Sequence, residues 1–412
     1  MRLKDLGYLY SGLTGKAGED FAIEDPAQGK PFVPFTNIFN NFRVDVDNVR
    51  LVAMTKGEVQ NRVETGDILF LMSSEDYESI GKPSVVSDKV GELYLNSFCR
   101  GLRITRSEVC PDYVAYYLSA ESVRQLLRLE ARGFTRINLK IDRLASQEVL
   151  LPKLSVQRQI VAYLDEKAAA IDARVAVLEK KLAAYRRLKA SVINRAVTRG
   201  LNPKTKLKDS GVDWIGKVPS GWVAGRFKDV AMVRANLVAP DLYMDYPQIA
   251  PENIEKGTGK LLGYGTVRES GIISGNHLFK KGQIIYSKIR PILNKLVITD
   301  FDGLCSADMY PIDVLGDLRF VFYQMLAPVF VIQVAAIVGM RVKMPKINQE
   351  ELSAVGMAIP PLVEQRAIAD YLDTECAKID KMAELVTREI ELYRKLKRSL
   401  INEVVTGKRK VA

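Results

Sequence analysis

The segment 152–198, PKLSVQRQIVAYLDEKAAAIDARVAVLEKKLAAYRRLKASVINRAVT, recurs without a gap as 360–406, PPLVEQRAIADYLDTECAKIDKMAELVTREIELYRKLKRSLINEVVT, at a constant offset of 208. Matched pairs include Gln157 with Gln365, Arg158 with Arg366, Tyr163 with Tyr371, Asp165 with Asp373, Asp172 with Asp380 and Asn194 with Asn402. A repeat of this kind fixes the organisation of a chain before any element is assigned. Neither copy contains proline or glycine between its opening prolines and its final turn, and good helix formers dominate, so each reads as one long helix. Leu164, Ile171, Leu178, Tyr185 and Val192 recur every seven residues, with Ala168, Val175 and Leu182 between the first of them. The second copy repeats this with Leu372, Ile379, Val386, Tyr393 and Leu400 around Cys376, Ala383 and Ile390. Heptads sustained over roughly 65 Å of helix, at about 1.5 Å per residue, exceed what a globular core needs and call for a coiled-coil partner.

The segments between the helices are also related, more weakly. Arg2–Leu6 parallels Arg226–Val230, Gly66–Phe70 parallels Gly282–Tyr286, and Gly133–Arg136 falls where Gly339–Val342 does. Short β-type runs such as DILFLM, QIIYS and KLVITD give these segments much strand. The expected fold is α+β: two mixed α/β domains in tandem, each followed by a long helix, the helices pairing as an antiparallel coiled coil with pseudo-twofold symmetry. The predicted limits are 1–150 for the first domain, 151–200 for the first helix, 201–222 for an irregular linker leading into the second domain, 223–358 for that domain, and 359–412 for the second helix and a basic tail.

Catalytic signatures are absent. There is neither an Asp/Asn-Pro-Pro-aromatic loop nor a Gly-rich cofactor turn of a base-flipping adenine methyltransferase. Gly15-Lys16 and Gly259-Lys260 lack the following Ser or Thr that a phosphate loop needs, and read as turns. His277 is the chain's one histidine, so it reads as a packing or surface residue, and Asp165-Glu166-Lys167 reads as a charged helix face. Four scattered cysteines indicate neither a disulfide framework nor a zinc site. No metal or catalytic residues are assigned. No apolar run reaches the roughly 18 residues that span a bilayer, and the first residues lack a signal-peptide pattern, so the expected location is the cytoplasm, away from membranes. The net charge of +11 fits a polyanionic partner, because counterion release from phosphates drives non-specific nucleic-acid binding.

The four-part arrangement, with IPPLVEQRAIADYLD at Ile359 to Asp373, a looser version at Leu151 to Asp165, and KDSGVDWIGKVPSGW at Lys208 to Trp222, resembles the specificity subunits of Type I restriction-modification enzymes. The first copy departs from the motif at Lys153, Ser155 and Val156. The resemblance implies a non-catalytic subunit with two target-recognition domains, each reading half of a bipartite site in double-stranded DNA, and with the helices as a ruler. It implies two modification subunits that carry S-adenosylmethionine and methylate adenine, and restriction subunits driven by ATP with Mg; no cofactor is expected in this chain. Docking of the partner subunits is expected at Gln157, Arg158, Tyr163, Gln365, Arg366 and Tyr371. DNA contacts are expected from polar and basic side chains: Thr36, Asn37, Asn40, Arg43, Lys82, Arg100, Arg136 and Asn138 in the first domain. The second domain offers Lys288, Arg290, Asn294, Lys295, Arg341, Lys343 and Lys346. A plain coiled-coil scaffold or an unrelated DNA-binding adaptor is the alternative. A scaffold explains the helices but leaves two basic globular domains without a role.

Overall fold

The computed structural model describes residues 1–412 except 24, 26–28, 340, 342–344 and 412. The chain divides into two compact units, Met1–Glu179 with Arg388–Ala412, and Lys180–Thr387. The long helices run Leu154–Arg199 and Leu362–Val405, so each contributes one part to each unit.

In the first unit a four-stranded antiparallel sheet has the order Gly7–Ser11, Cys99–Ile104, Ile68–Leu71, Pro83–Val85. Its central strand is apolar at every position because both faces are covered. Ile68 and Phe70 join a core with the helices Pro111–Ser119 and Glu121–Glu130 and the long helices, while Leu69 and Leu71 join a second core on the opposite face. This is the period-two geometry of a strand. A three-stranded sheet, Arg50–Val52, Lys30–Val33 and Tyr94–Leu95, completes the domain, the last pair parallel.

The second unit repeats the plan. Its antiparallel sheet runs Ala231–Val233, Met309–Val314, Ile284–Ser287, Leu296–Ile298, with Ile284 and Tyr286 on one core and Ile285 on the other. Its second sheet has five strands, and again one parallel pair, Pro247–Ile249 with Gly303–Cys305. Strands Val223–Arg226 and Gly356–Ile359 pair antiparallel and close the domain. The linker differs from expectation. Within 201–222 a hairpin forms between Leu207–Asp209 and Lys217–Pro219, and Val218, Ile215 and Trp222 enter the main core of the unit. Trp222 is 1% exposed, and its Nε1 donates to Glu364 Oε2 at 2.9 Å. The glycines and prolines that suggested irregular chain serve its tight turns, with Gly211 and Gly216 in the left-handed region.

The long helices pack antiparallel, and the heptad positions do the packing. Leu164, Ile171 and Leu178 are buried in the first unit, Leu372 and Cys376 in the second, each worth about 1.5 to 3 kcal/mol for the larger side chains. Asp172 binds Lys397 at 2.6 Å in the first unit, and Lys189 binds Asp380 at 2.8 Å in the second. Shifting either pair by the repeat offset gives the other, as antiparallel pairing of two equal copies requires. No single helix among the described residues is long and apolar enough to cross a membrane.

Candidate nucleic-acid interface

The matched polar residues of the repeat hold each recognition domain on the helices. Gln157 Oε1 accepts from Cys110 N at 2.8 Å, at the start of the helix Pro111–Ser119. Gln365 Oε1 accepts from Asp317 N at 2.9 Å, at the start of Leu318–Leu326. Both amides also donate to backbone carbonyls, of Pro152 and Pro360. The Tyr116 hydroxyl donates to Asp165 at 2.6 Å and the Tyr323 hydroxyl to Asp373 at 2.8 Å. Burial first, and then the carboxylate, push both phenols well above their ordinary range, so they remain donors. At the far helix ends Asn402 Oδ1 accepts from Ser122 N at 3.1 Å, and Asn194 Oδ1 from Val329 N at 3.1 Å. These satisfy N–H groups that a helix start leaves without a partner.

These bonds correct part of the expected docking surface. Gln157 and Gln365 are 1% and 5% exposed and are committed inside the chain, so they offer nothing to a partner subunit. Arg158, Arg366 and Tyr371 are exposed and Tyr163 is half-buried under Lys167.

The DNA candidates also divide. Asn37 is fully buried; its amide donates to Asp45 O and Asn48 O at 2.8 Å and shapes the turn after the helix Phe35–Asn40. Arg43 binds Asp112 at 2.8 Å and Asp165 at 2.9 Å; burial opposes its charge, but these carboxylates outweigh it and raise its pKa. Asn294 is buried and donates to Met325 O at 2.9 Å. Asn37 and Asn294 are internal braces, and the expectation that they meet DNA is corrected; Arg43 stays partly exposed while tied to both carboxylates. Sequence alone offers no means of telling a short polar brace from a polar contact.

Some of the remaining candidates lie on a recurrent pair of loops; Thr36 and Asn40 lie on the helix Phe35–Asn40 and Arg100 on the strand Cys99–Ile104. In the first unit the loop after Ile68–Leu71 is tied to 132–138 by the pairing of Ser73–Ser74 with Ile137–Asn138. In the second, the loop after Ile284–Ser287 is tied to Lys346 by the bridge Ile289–Lys346. On the first rim Arg136 stacks over Phe98 at 4.4 Å, Arg100 donates to Ser97 O and Cys99 O, and exposed Asn138 donates to Arg136 O. Lys82 lies over Phe39 and donates to its carbonyl; burial, then Arg124 and Lys397, lower its pKa. Thr36 and Asn40 are exposed beside it. Exposed Tyr77, Phe98 and Phe134 crown this rim. They were absent from the expected set, although three aromatics in the polar stretches flanking strands are the signal that could have found them.

On the second rim Arg290 and Asn294 have φ of 43° and 45° on either side of the 3-10 turn Pro291–Leu293. Left-handed backbone at non-glycine residues is strained and persists where neighbours hold it; here Arg290 N donates to Pro345 O and Asn294 is locked by Met325. The result projects Arg290 into a cleft of about 870 Å³ beside Ser274, Asn276 and Ser306. Lys288 lies over Tyr310, Lys295 donates to Pro251 O, Lys346 binds Asp308 and Arg341 binds Glu351. Lys343 lies outside the described residues. His277 is a buried strand residue whose pKa is lowered by burial and by Lys288. Among the described residues no cluster of His, Cys, Asp or Glu could hold a metal.

A family model described as the Type I restriction modification DNA specificity domain matches residues 2–179 and 219–391. The chain belongs to this family. It is 33% identical over 310 residues, 71% of this chain and 69% of the relative, to the Type I restriction enzyme EcoDI specificity subunit of Escherichia coli. With the Type I restriction enzyme MjaVIII specificity subunit of Methanocaldococcus jannaschii it shares 21% identity, covering 88% of this chain and 83% of that one. Its fold matches a chain from a structure described as the structural basis underlying complex assembly and conformational transition of the type I R-M system. The TM-score is 0.69 at 13% identity, with 98% and 96% of the two chains covered. A specificity subunit is the non-catalytic DNA-specificity component of such a system, and it works within a restriction-modification complex on DNA.

The charge of this specificity subunit is not where a DNA surface would suggest. Residues 1–150 hold 19 Lys and Arg against 21 Asp and Glu, and residues 223–358 hold 15 against 13. The two recognition domains are therefore close to neutral, contrary to the expectation of two basic domains. Residues 151–222, with 15 against 6, carry most of the excess.

Proposed function

We propose that the two rims read the two halves of a bipartite, asymmetric DNA site, and that the paired helices set the number of base pairs between the halves. The observation that carries this reading is the same loop pair on both domains, furnished with different chemistry: Tyr77, Phe98, Arg136 and Asn138 on one, Arg290 and Lys346 on the other. One scaffold with two sets of side chains suits two unlike half-sites. Arg290, Arg136, Asn138, Thr36 and Asn40 are the base-reading candidates; Lys82, Arg100, Lys288, Lys295, Arg341 and Lys346 suit phosphates. Arg158, Arg366, Tyr163 and Tyr371 serve docking. The partners are two modification subunits, which bind S-adenosylmethionine and methylate adenine, and restriction subunits that use ATP and Mg, all in the cytoplasm.

The decisive experiment is exchange of residues 227–354 for the matching segment of a related subunit. These limits keep the closing strands Val223–Arg226 and Gly356–Ile359 native. Sequencing of methylated adenines is expected to show a changed second half-site, an unchanged first half-site and the same spacing. A change in both halves would remove the modular reading.

Arg290→Ala should affect the second half-site alone. Loss of one bidentate base contact costs about 1 to 3 kcal/mol and relaxes the position it reads. The methylated sequences of the variant check this; equal weakening across all sequences would make Arg290 a phosphate contact.

A further inference from the structure

Between Lys180 and Lys208 the chain carries ten Lys and Arg and no Asp or Glu. Lys189 spends its charge on Asp380. The others are exposed and form no ion pair with the described residues, among them Lys180, Arg187, Arg195, Arg199 and Lys181, which lies over Tyr185. At about 100° per residue Lys180, Arg187, Ser191 and Arg195 share the face of the first long helix opposite the buried Ile193 and Ala196. Successive cations on this face stand roughly 10 to 12 Å apart at about 1.5 Å per residue. The ridge ends at a cleft of about 390 Å³ lined by Ser191, Arg195 and Arg199 beside the following turn.

Helix pairing does not require all of this charge. In the other copy of the repeat Lys180 and Arg187 match Arg388 and Lys395, but Lys181 is replaced by Glu389 and Arg195 by Glu403, so the unbroken cationic run belongs to the first helix alone. The helix dipole does not explain it either. A dipole favours cations within the last turn, which covers Arg199 and Arg195 but leaves Arg187 and Lys180 about three and five turns from the helix end at roughly 3.6 residues per turn. Arg195 and Arg199, four apart, repel each other on an isolated helix.

We infer that this ridge is a phosphate-binding surface for the DNA backbone, independent of base sequence, and that it supplies non-specific affinity which the near-neutral recognition domains lack. The inference rests on the reading of the chain as a DNA-binding subunit. Phosphate is favoured over an acidic protein face because Lys180, Arg187, Ser191 and Arg195 form a row of cations and a hydroxyl with exposed Leu188 beside it but no aromatic anchor of the kind that concentrates energy at protein interfaces.

The test is the full chain carrying Lys180→Gln, Arg187→Gln and Arg195→Gln together, substitutions that keep helix propensity. Binding to a short random-sequence duplex is measured against salt concentration. The slope of log affinity against log salt is expected to shrink by about 3, at roughly 0.9 per phosphate contact, with an unchanged circular dichroism spectrum and, in the assembled methyltransferase, an unchanged methylated sequence. An unchanged slope while the unsubstituted chain binds DNA would overturn the ridge alone. The same result with loss of modification-subunit binding would reassign the face to an acidic protein partner. Failure of the unsubstituted chain to bind any duplex would overturn the functional reading beneath it.

Discussion

Replacing Leu178 by proline is expected to abolish methylation at the native site by the assembled enzyme. Proline removes a hydrogen bond in the middle of a 46-residue helix and clashes with the preceding turn, at about 3 kcal/mol or more. It also deletes a side chain only 2% exposed in the core of the first unit, and 3 kcal/mol alone is about a hundredfold in any equilibrium that needs the helix intact. Leu178→Ala removes the side chain but keeps the helix, so it separates the effects. The alanine variant should keep its spacing preference at reduced stability, whereas the proline variant should lose it. Methylation of sites with altered spacers, assayed for both, measures this; native spacing and activity in the proline variant would sink the ruler.

The helices were the most legible part of the sequence, because an ungapped repeat, unbroken by glycine or proline, constrains both boundary and register. The central strands were legible for a related reason: DILFLM and QIIYS are apolar on both faces, a pattern a solvent-facing strand cannot carry. Polar residues were not legible in the same way. Gln157, Gln365, Asn37 and Asn294 are as hydrophilic as any surface residue, and only the packing around them decides whether an amide faces water or caps a helix. Net charge misled for a similar reason: a sum over the whole chain does not say which element carries it.

The second large effect is expected at the former linker. Trp222→Ala should destabilise the second unit by about 3 to 5 kcal/mol, the usual range for truncating a large aromatic in a core, and it leaves Glu364 without its indole donor. Trp222→Phe retains most of the packing and loses the hydrogen bond, typically about 1 kcal/mol. Urea unfolding followed by a probe in the second unit should show the alanine variant shifted far more than the phenylalanine one. Equal shifts would mean that the bond to Glu364, and not the filled volume, holds the segment in place.

The division of the chain into units has a bearing on how it is made. The second unit is a continuous stretch, Lys180–Thr387, whereas the first needs Arg388–Ala412, and Leu400, Ile401, Val404 and Val405 lie within its core. During synthesis, then, the domain that emerges first is the one that finishes last: it must wait on the ribosome with an open apolar face until the final turns of the second helix arrive. Closing so long a loop costs little more than closing one half its length, since the entropy grows only with the logarithm. The burden is one of time, during which uncovered apolar surface invites aggregation, and a chain that stopped at residue 387 would release a finished second domain tethered to an unfinished first.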